Sequence, residues 1–533
     1  MTSRKQKWLL ALVAGGLAAF VTVFLAGRRM AQRFEPYIKE QAVLYLEKRF
    51  DSKVEVAHLT VDLPKFSPAR LFFSRGLGVI ARVEGDGVLL RHQGRVDIPP
   101  LIAMKSFRFE VDVGRIFEPT KHVALIHIDG MEIHVPPKGD RPAFPGAAPD
   151  KPPPDVIIAD LLIHDAKLLL LPKRADRKAL EFQLHDIHLK SAGFNRAMNY
   201  TARLTNPRPP GKIQSQGTFG PWNAETPSDT PLAGEYVFTQ ADLGVFPAIG
   251  GTLQSTGQFE GKLSAINAKG QASVPNFRLR RSGNKIPLET TFEAFIDGTN
   301  GNTTLKPIHA VLGSTRFTTS GAVIKHDGDP RRSIDLAFTM PAGHLADIMK
   351  LAMPGPPMME GRLNMSATIS VPPLSGKVIE RLVLDGKFQI DDGQFLKSKI
   401  QDKLDTLSRR GQGQPKNEEI DAVVSGMGGA FRLDDQVITF RDLHFSVPGA
   451  AVALAGNYDL GNDKLDFHGA LRLDAKVSQT MSGWKRIALK PVDPFLAKEG
   501  AGTFLRIQVT GSSKDPEFGR DRRSTKDLPG PKK

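Results

Sequence analysis

The sequence predicts a mainly β protein: an N-terminal transmembrane helix followed by a long, predominantly antiparallel sheet with a few capping or shielding helices. Three observations predict it. Trp8 to Gly27 contains no charged residue. From Lys53 onward apolar residues recur at every second position, the period of a half-buried strand. Few amphipathic helices interrupt that pattern, so parallel crossovers have little to be built from.

The N-terminal stretch, WLLALVAGGLAAFVTVFLAG, would form a helix about 30 Å long, enough to cross the hydrocarbon core of a bilayer. Residues 1–7 are short and basic, with Arg4, Lys5 and Lys7, while Arg28, Arg29 and Arg33 follow the span and leave little charge asymmetry to orient it. A cleaved signal peptide is the rival reading, against which stand the length of the uncharged run and the lack of a clean small-x-small site. A buried soluble helix is a third. The anchor reading leaves everything after Gly27 on one side of the membrane, because no second uncharged span of similar length appears.

Residues 28–52 form a juxtamembrane and capping region. Within it Glu35 to Phe50 reads as a helix with Pro36 in the first turn and a broken apolar stripe at Ile38, Ala42, Tyr45 and Leu46. The sheet body then runs over 53–393. Val54 and Val56, Leu59, Val61 and Leu63, and Phe107, Phe109, Val111 and Val113 each alternate with polar residues. A recurring pattern joins apolar strand ends through Asp or Gly, as in IHIDGMEIHV at 126–135, LIHDAKL at 162–168 and FRDLHF at 440–445. Asp and Gly at such positions bend or bulge a strand, and their irregular spacing excludes a fixed-period solenoid.

An insertion at 136–154 places eight prolines in nineteen residues, and proline cannot donate to a ladder. It reads as a loop between neighbouring strands, or else as a domain boundary. Further strands follow from Tyr200 to Ile324, separated by Gly, Pro and Asn. Leu345, Ile348, Met349 and Ala352 make a one-sided helix stopped by Pro354. An amphipathic helix over 394–410 shows the stripe Leu396, Ile400, Leu404 and Leu407. Residues 411–512 return to strands, and the basic, Pro/Gly-bearing tail 513–533 reads as disordered.

Composition narrows the chemistry. The absence of cysteine excludes disulfides, thiol catalysis and Cys-ligated zinc. The formal charge of +15 gathers partly at the two termini and is not interleaved with aromatics, which argues against nucleic acid. An anionic membrane surface is the simpler partner for such tails. His185 and His188, three apart on a strand, fall on opposite faces and make a poor metal pair. No HExxH, phosphate-binding loop, calcium loop or serine elbow is present. The chain reads as a non-enzyme without catalytic residue, metal or cofactor.

The order of several weak motifs resembles the AsmA-like family of bacterial envelope proteins. They are the anchor and following helix, FDSKVEV at 50–56, GVLLRH at 87–92, PPLI at 99–102, VALIHIDGMEIHVP at 123–136, segments 449–460 and 466–473, and IQVTGSSKDPE at 507–517. The resemblance implies a single-pass inner-membrane protein with its body in the periplasm. It implies a curved β-groove that carries phospholipid or another diacyl lipid, with an envelope or outer-membrane protein as partner. The alternative expectation is a structural or regulatory factor for outer-membrane assembly. Candidate groove or core residues are Phe107, Phe109, Val111, Val113, Ile128, Met131, Ile133, Val135, Phe440, Phe445 and Val447. Period two alone does not separate a lipid face from ordinary buried sheet.

Overall fold

The structure, a computed structural model, describes residues 40, 43–44, 47, 52–62, 80–112, 115, 120–137, 156–172, 178–193, 195–223, 226–326, 331–396, 398–413, 423–475, 503–513 and 515–521. The predicted anchor at 8–27, Val113, the loop from 138 to 155 and the tail beyond Asp521 lie outside the described residues. Among the described residues no helix is long and apolar enough to cross a membrane.

The fold is mainly β, and its strands divide between two compact units. The first comprises residues up to Ala241 with Thr256–Ile266, the second Asp242–Ser255 with the remainder. In the first unit β1 (Ser52–Asp62), β2 (Ile80–His92), β3 (Ile102–Asp112) and β4 (Lys121–Val135) form an antiparallel meander. β5 (Val156–Leu170) then lies parallel to β4. A parallel neighbour needs a crossover of a dozen or more residues, and the Pro-rich stretch is the sequence between them. β6 (Leu180–Ala192), β7 (Met198–Pro207), β8 (Pro210–Phe219) and β9 (Pro231–Asp242) continue antiparallel.

β10 (Ile249–Gly250) pairs with β12 (Ala265–Leu279) in the second unit, and β11 (Thr252–Lys262) and β12 contribute residues to both units. From β13 (Ile286–Ile296) the second unit is one antiparallel meander in sequence order. Its strands are β14 (Thr303–Leu312), β15 (Thr315–Lys325), β16 (Arg332–His344), β17 (Met359–Val371), β18 (Val383–Phe395), β19 (Ser425–Asp434), β20 (Val437–Val447), β21 (Ala450–Asp459), β22 (Lys464–Leu473), β23 (Thr503–Gly511) and β24 (Pro516–Arg520). Helices α1 (Leu345–Ala352), α2 (Val378–Arg381) and α3 (Ser398–Gln412) occupy connections between its strands.

Two expectations need correction. The amphipathic helix begins at Ser398 instead of 394, because Gln394 and Phe395 finish β18 opposite Glu360 and Met359, and Leu396 is exposed outside the helix. Residues 516–520, expected without structure, form β24 because β23 offers them a complete antiparallel register from Ile507↔Arg520 to Gly511↔Pro516. Pairing with a neighbouring strand outweighs the polar composition of the segment.

Candidate functional site

Register, not sequence spacing, decides which side chains share a face, since opposed residues of paired strands point the same way. In the first unit one row runs Val83, Phe109, Ile126, Leu161, Leu189 and Tyr200 across β2 to β7. The next runs Gly85, Phe107, Ile128, Ile163, Ile187 and Ala202. A third takes Leu90, Ile102, Ile133, Leu168 and Phe182. The opposite face is polar: Arg82 lies 3.1 Å from Glu110, Arg108 2.6 Å from Glu84, and His188 2.7 Å from Asp160.

The Asp and Gly pattern explains how both halves of each strand keep the same face. Ile128 and Met131 are three apart, which in a regular strand puts them on opposite faces. Gly130 takes φ +64 between them, and Met131 then packs in one cluster with Ile128, Ile133, Ile163 and Ala166. Asp165, with φ 51, does the same for Ile163 and Ala166 on β5, and Gly87, with φ 63, sits between Gly85 and Val88 on β2. Neighbouring strands thus step by three residues at one level, a column of bulges that adds local twist and bend. β20 repeats the device. Its register shifts between Phe440 and Leu443, so Phe440, Leu443, Phe445 and Val447 share a face where strict alternation would split them. The strand runs through the bulge unbroken from Val437 to Val447.

The candidates therefore come together as two sets. Phe107, Phe109, Val111, Ile128, Met131, Ile133 and Val135 lie on the apolar side of the first unit. Phe440, Phe445 and Val447 lie on that of the second. Val111, Met131 and Val447 are buried, whereas the phenylalanines, Ile128, Ile133 and Val135 are only half-buried. The Phe107 ring is pressed onto Gly85, whose missing Cβ makes room for it, so this candidate fills a hole in the sheet.

Register shows a larger set than periodicity found. In the second unit one row runs Met340, Met365, Phe388, Gly429, Leu443, Leu454, Gly469 and Ile507. Its neighbour runs Phe338, Ala367, Gly386, Phe431, Phe440, Gly456, Phe467, Val509 and Phe518. Phe388, Phe431, Phe440 and Phe467 form a chain of ring contacts with centroids 5.8 to 6.4 Å apart. Gly386, Gly429, Gly456 and Gly469 complete these rows without side chains, because a Cβ on any of them would strike the backbone of the next strand. Most of the larger side chains remain half-buried, Phe467 and Met340 being buried exceptions, and Phe518 is 71% exposed on the last strand.

Two helices close one margin of this face. Leu345, Ile348 and Met349 of α1 pack with Met340, Leu363 and Ile390. Leu407 of α3 packs with Val447, Ala450 and Leu473. The α3 face is more polar than its predicted leucine stripe. Gln401 accepts from Phe395 N–H at 3.0 Å and donates to Val423 O at 2.9 Å, while Ser408 donates to Pro448 O at 2.8 Å. The helix thereby satisfies backbone groups that strand ends leave open. In the first unit Val43, one of the described helical residues within 35–50, packs against Val54, Val88 and Leu90, and Glu47 accepts from Val54 N–H at 3.2 Å.

Among the described residues the titratable groups pair across neighbouring strands. His164 Nδ1 lies 2.8 Å from Asp186 Oδ1, and Arg203 lies 2.5 Å from the other carboxylate oxygen. The His164 hydrogen bond, and after it Arg203, holds the Asp186 carboxyl below the usual range against opposing desolvation. His185 and His188 bond separately to Thr205 and Asp160, and among the described residues no group of His, Asp and Glu could hold a metal ion. Tyr200 stands on the apolar side with its hydroxyl 2.9 Å from Ser215, and burial pushes its phenol above the ordinary value. A hollow of about 550 Å³ in the second unit is bordered by Lys387, Gln389, Asp442 and His444 together with Met340, Met365, Phe388 and Gly429 of the first of that unit's rows.

No protein-family model, curated protein or solved structure matches the chain.

Proposed function

We propose that this is a non-enzymatic, membrane-tethered envelope protein of the AsmA-like kind. In this reading it holds phospholipid or another acylated lipid along the apolar side of its sheets, on the way to the outer membrane. One observation carries the reading. Row after row of Leu, Ile, Phe and Met occupies one face in each unit and stays half-buried, with no second sheet packed over it among the described residues. Soluble proteins rarely leave contiguous apolar patches beyond a few hundred Å² uncovered.

Lipid chains answer that surface energetically. Each methylene taken from water gains about 0.8 kcal/mol, so two ordinary chains carry a penalty on the order of 20 kcal/mol that such a face relieves. The charged back face, with its cross-strand ion pairs, suits water. The uncharged span at 8–27 supplies the tether, and the ordered motifs around it supply the family reading. The sequence offers no nucleotide-binding loop, so movement along the face follows a gradient or a partner.

The test is extraction of lipid from the full chain purified from its native membrane, with mass spectrometry of what accompanies it. Diacyl lipid at near-stoichiometric amounts is the expected result. A homogeneous, folded pool devoid of diacyl lipid counts against the carrier reading and favours the structural one.

A further inference from the structure

We infer that lipid on the second unit lies along the strands, with chain ends against the helix-bearing margin and the headgroup at the opposite, hairpin-bearing margin. The inference rests on the lipid reading above and assigns it a polarity and a depth. Strand direction defines the margins. Strands β16, β18, β20 and β22 end at one margin, which α1 and α3 occupy. The other margin carries the tight turns 435–436 and 460–463, together with α2.

The two margins differ in what they offer an amphiphile. At the helical margin Leu363, Ile390, Val447 and Leu473 are between 3% and 7% exposed, sealed beneath Leu345, Met349 and Leu407. A headgroup driven into that floor would lose its water without gaining polar partners. At the hairpin margin Asp459 accepts from Gly461 and Asn462 N–H in a short turn, while the Arg432–Asp385 and Arg432–Asp434 pairs, at 3.4 and 3.0 Å, lie nearby on the back face. Exposed polar groups in such turns match a hydrated headgroup. Between the margins Met427, Gly429, Phe431 and Leu433 span seven residues of β19, about 20 Å of apolar strand. One leaflet of a roughly 30 Å hydrocarbon core is about 15 Å, so a full-length chain fits lengthwise above the floor. Leu443 stands half-buried part-way along that depth, in the row next to the floor, which makes it a residue that sets chain length.

The experiment uses the full chain with two photoreactive phosphatidylcholines, one carrying a diazirine at the end of its palmitoyl chain and one carrying it on the headgroup, and maps the adducts by peptide mass spectrometry. Chain-end adducts are expected on 348–349, 427 and 445, and headgroup adducts on 433–438 and 458–465, each enriched at least tenfold over the other probe. Equal or reversed distributions overturn the polarity while leaving lipid binding intact. No adducts from either probe overturn the polarity and the carrier reading together. Independently, Leu443→Trp should shift co-purified chains at least two carbons shorter, while Thr439→Trp on the polar face leaves them unchanged. Bound lipid of unaltered chain length in Leu443→Trp refutes the depth assignment.

Discussion

In the first unit the apolar rows are mostly Ile, Leu, Val and Met, stepped by a column of bulges, and their buried residues gather near Leu90 and Met131. In the second the rows are rich in phenylalanine, glycines stand between the rings, and burial concentrates under α1 and α3. Both units put cross-strand charge on the back. Exposed pairs of that kind contribute little each, yet they penalise a one-residue slip that would turn charge onto the apolar side. The contrast teaches that the two-faced sheet is made the same way twice, while the margin is where the units specialise.

The sharpest way to break that comparison is to damage each unit at its buried end. Leu90 is 1% exposed and Leu363 3%. Truncation of either to alanine should cost about 2–5 kcal/mol. Hydrogen exchange should accelerate across β1–β4 for Leu90→Ala and across β16–β19 for Leu363→Ala. Each variant accelerating both units equally would mean that the division is not energetic.

Next comes the helical margin itself. Asp347 Oδ2 accepts from Ser314 N–H at 2.9 Å, Ser314 Oγ at 2.8 Å and Thr315 Oγ1 at 2.9 Å, tying α1 to the β14–β15 turn. Thr315 is fully buried, so Asp347→Ala takes away the shorter acceptor of its hydroxyl, leaving His344 O at 3.4 Å, and should cost about 1–3 kcal/mol. Chemical denaturation should report that loss, with exchange faster in α1 and the β14–β15 turn than in the first unit. An unchanged midpoint would show that the margin is held by apolar packing alone.

These elements also separate what the sequence makes legible from what it conceals. Alternation such as Phe107, Phe109 and Val111 announces a strand because its period is local. The Asp129-Gly130 and Asp165 breaks announce bulges because few other residues accept a left-handed backbone. Pro354 likewise marks the end of α1. The parallel β4–β5 pair is concealed, since pairing direction depends on where a twenty-residue connection returns. So is the packed side of α3, where Gln401 and Ser408 serve strand-end backbone groups that no helical stripe encodes. The wider candidate face, with Met365, Phe388, Phe431 and Leu454, emerges only from register, because bulges shift its parity from strand to strand.

A subtler prediction concerns the bulge column, the feature that most distinguishes the first unit. Asp165 sits at φ 51. Glycine there removes a steric cost, so Asp165→Gly should be neutral or stabilise by about 0.5–1 kcal/mol, whereas Asp165→Val should destabilise by about 1–2 kcal/mol. Thermal denaturation of the pair checks the ordering. Valine tolerated as well as glycine would mean that β5 does not need its bulge to keep Ile163 and Ala166 on one side.

The smallest effect expected is electrostatic, and it also belongs to the first unit. Asp186 joins β6 to β5 through His164 and to β7 through Arg203, and its folded carboxyl titrates below the unfolded value. A depressed carboxyl contributes its stability above the unfolded value, and the contribution is lost as pH falls through the folded one. Acid titration should therefore weaken protection around β5–β7 at the low end of the carboxylate range. Glu293 in the second unit, depressed chiefly by its hydrogen bond from Lys306, behaves in the same sense around β13–β14. Asp186→Asn should flatten the acid limb of the first unit and leave that of the second, and Glu293→Gln the reverse. Both limbs flattening together in either variant would show that the acid sensitivity is not local to the pair.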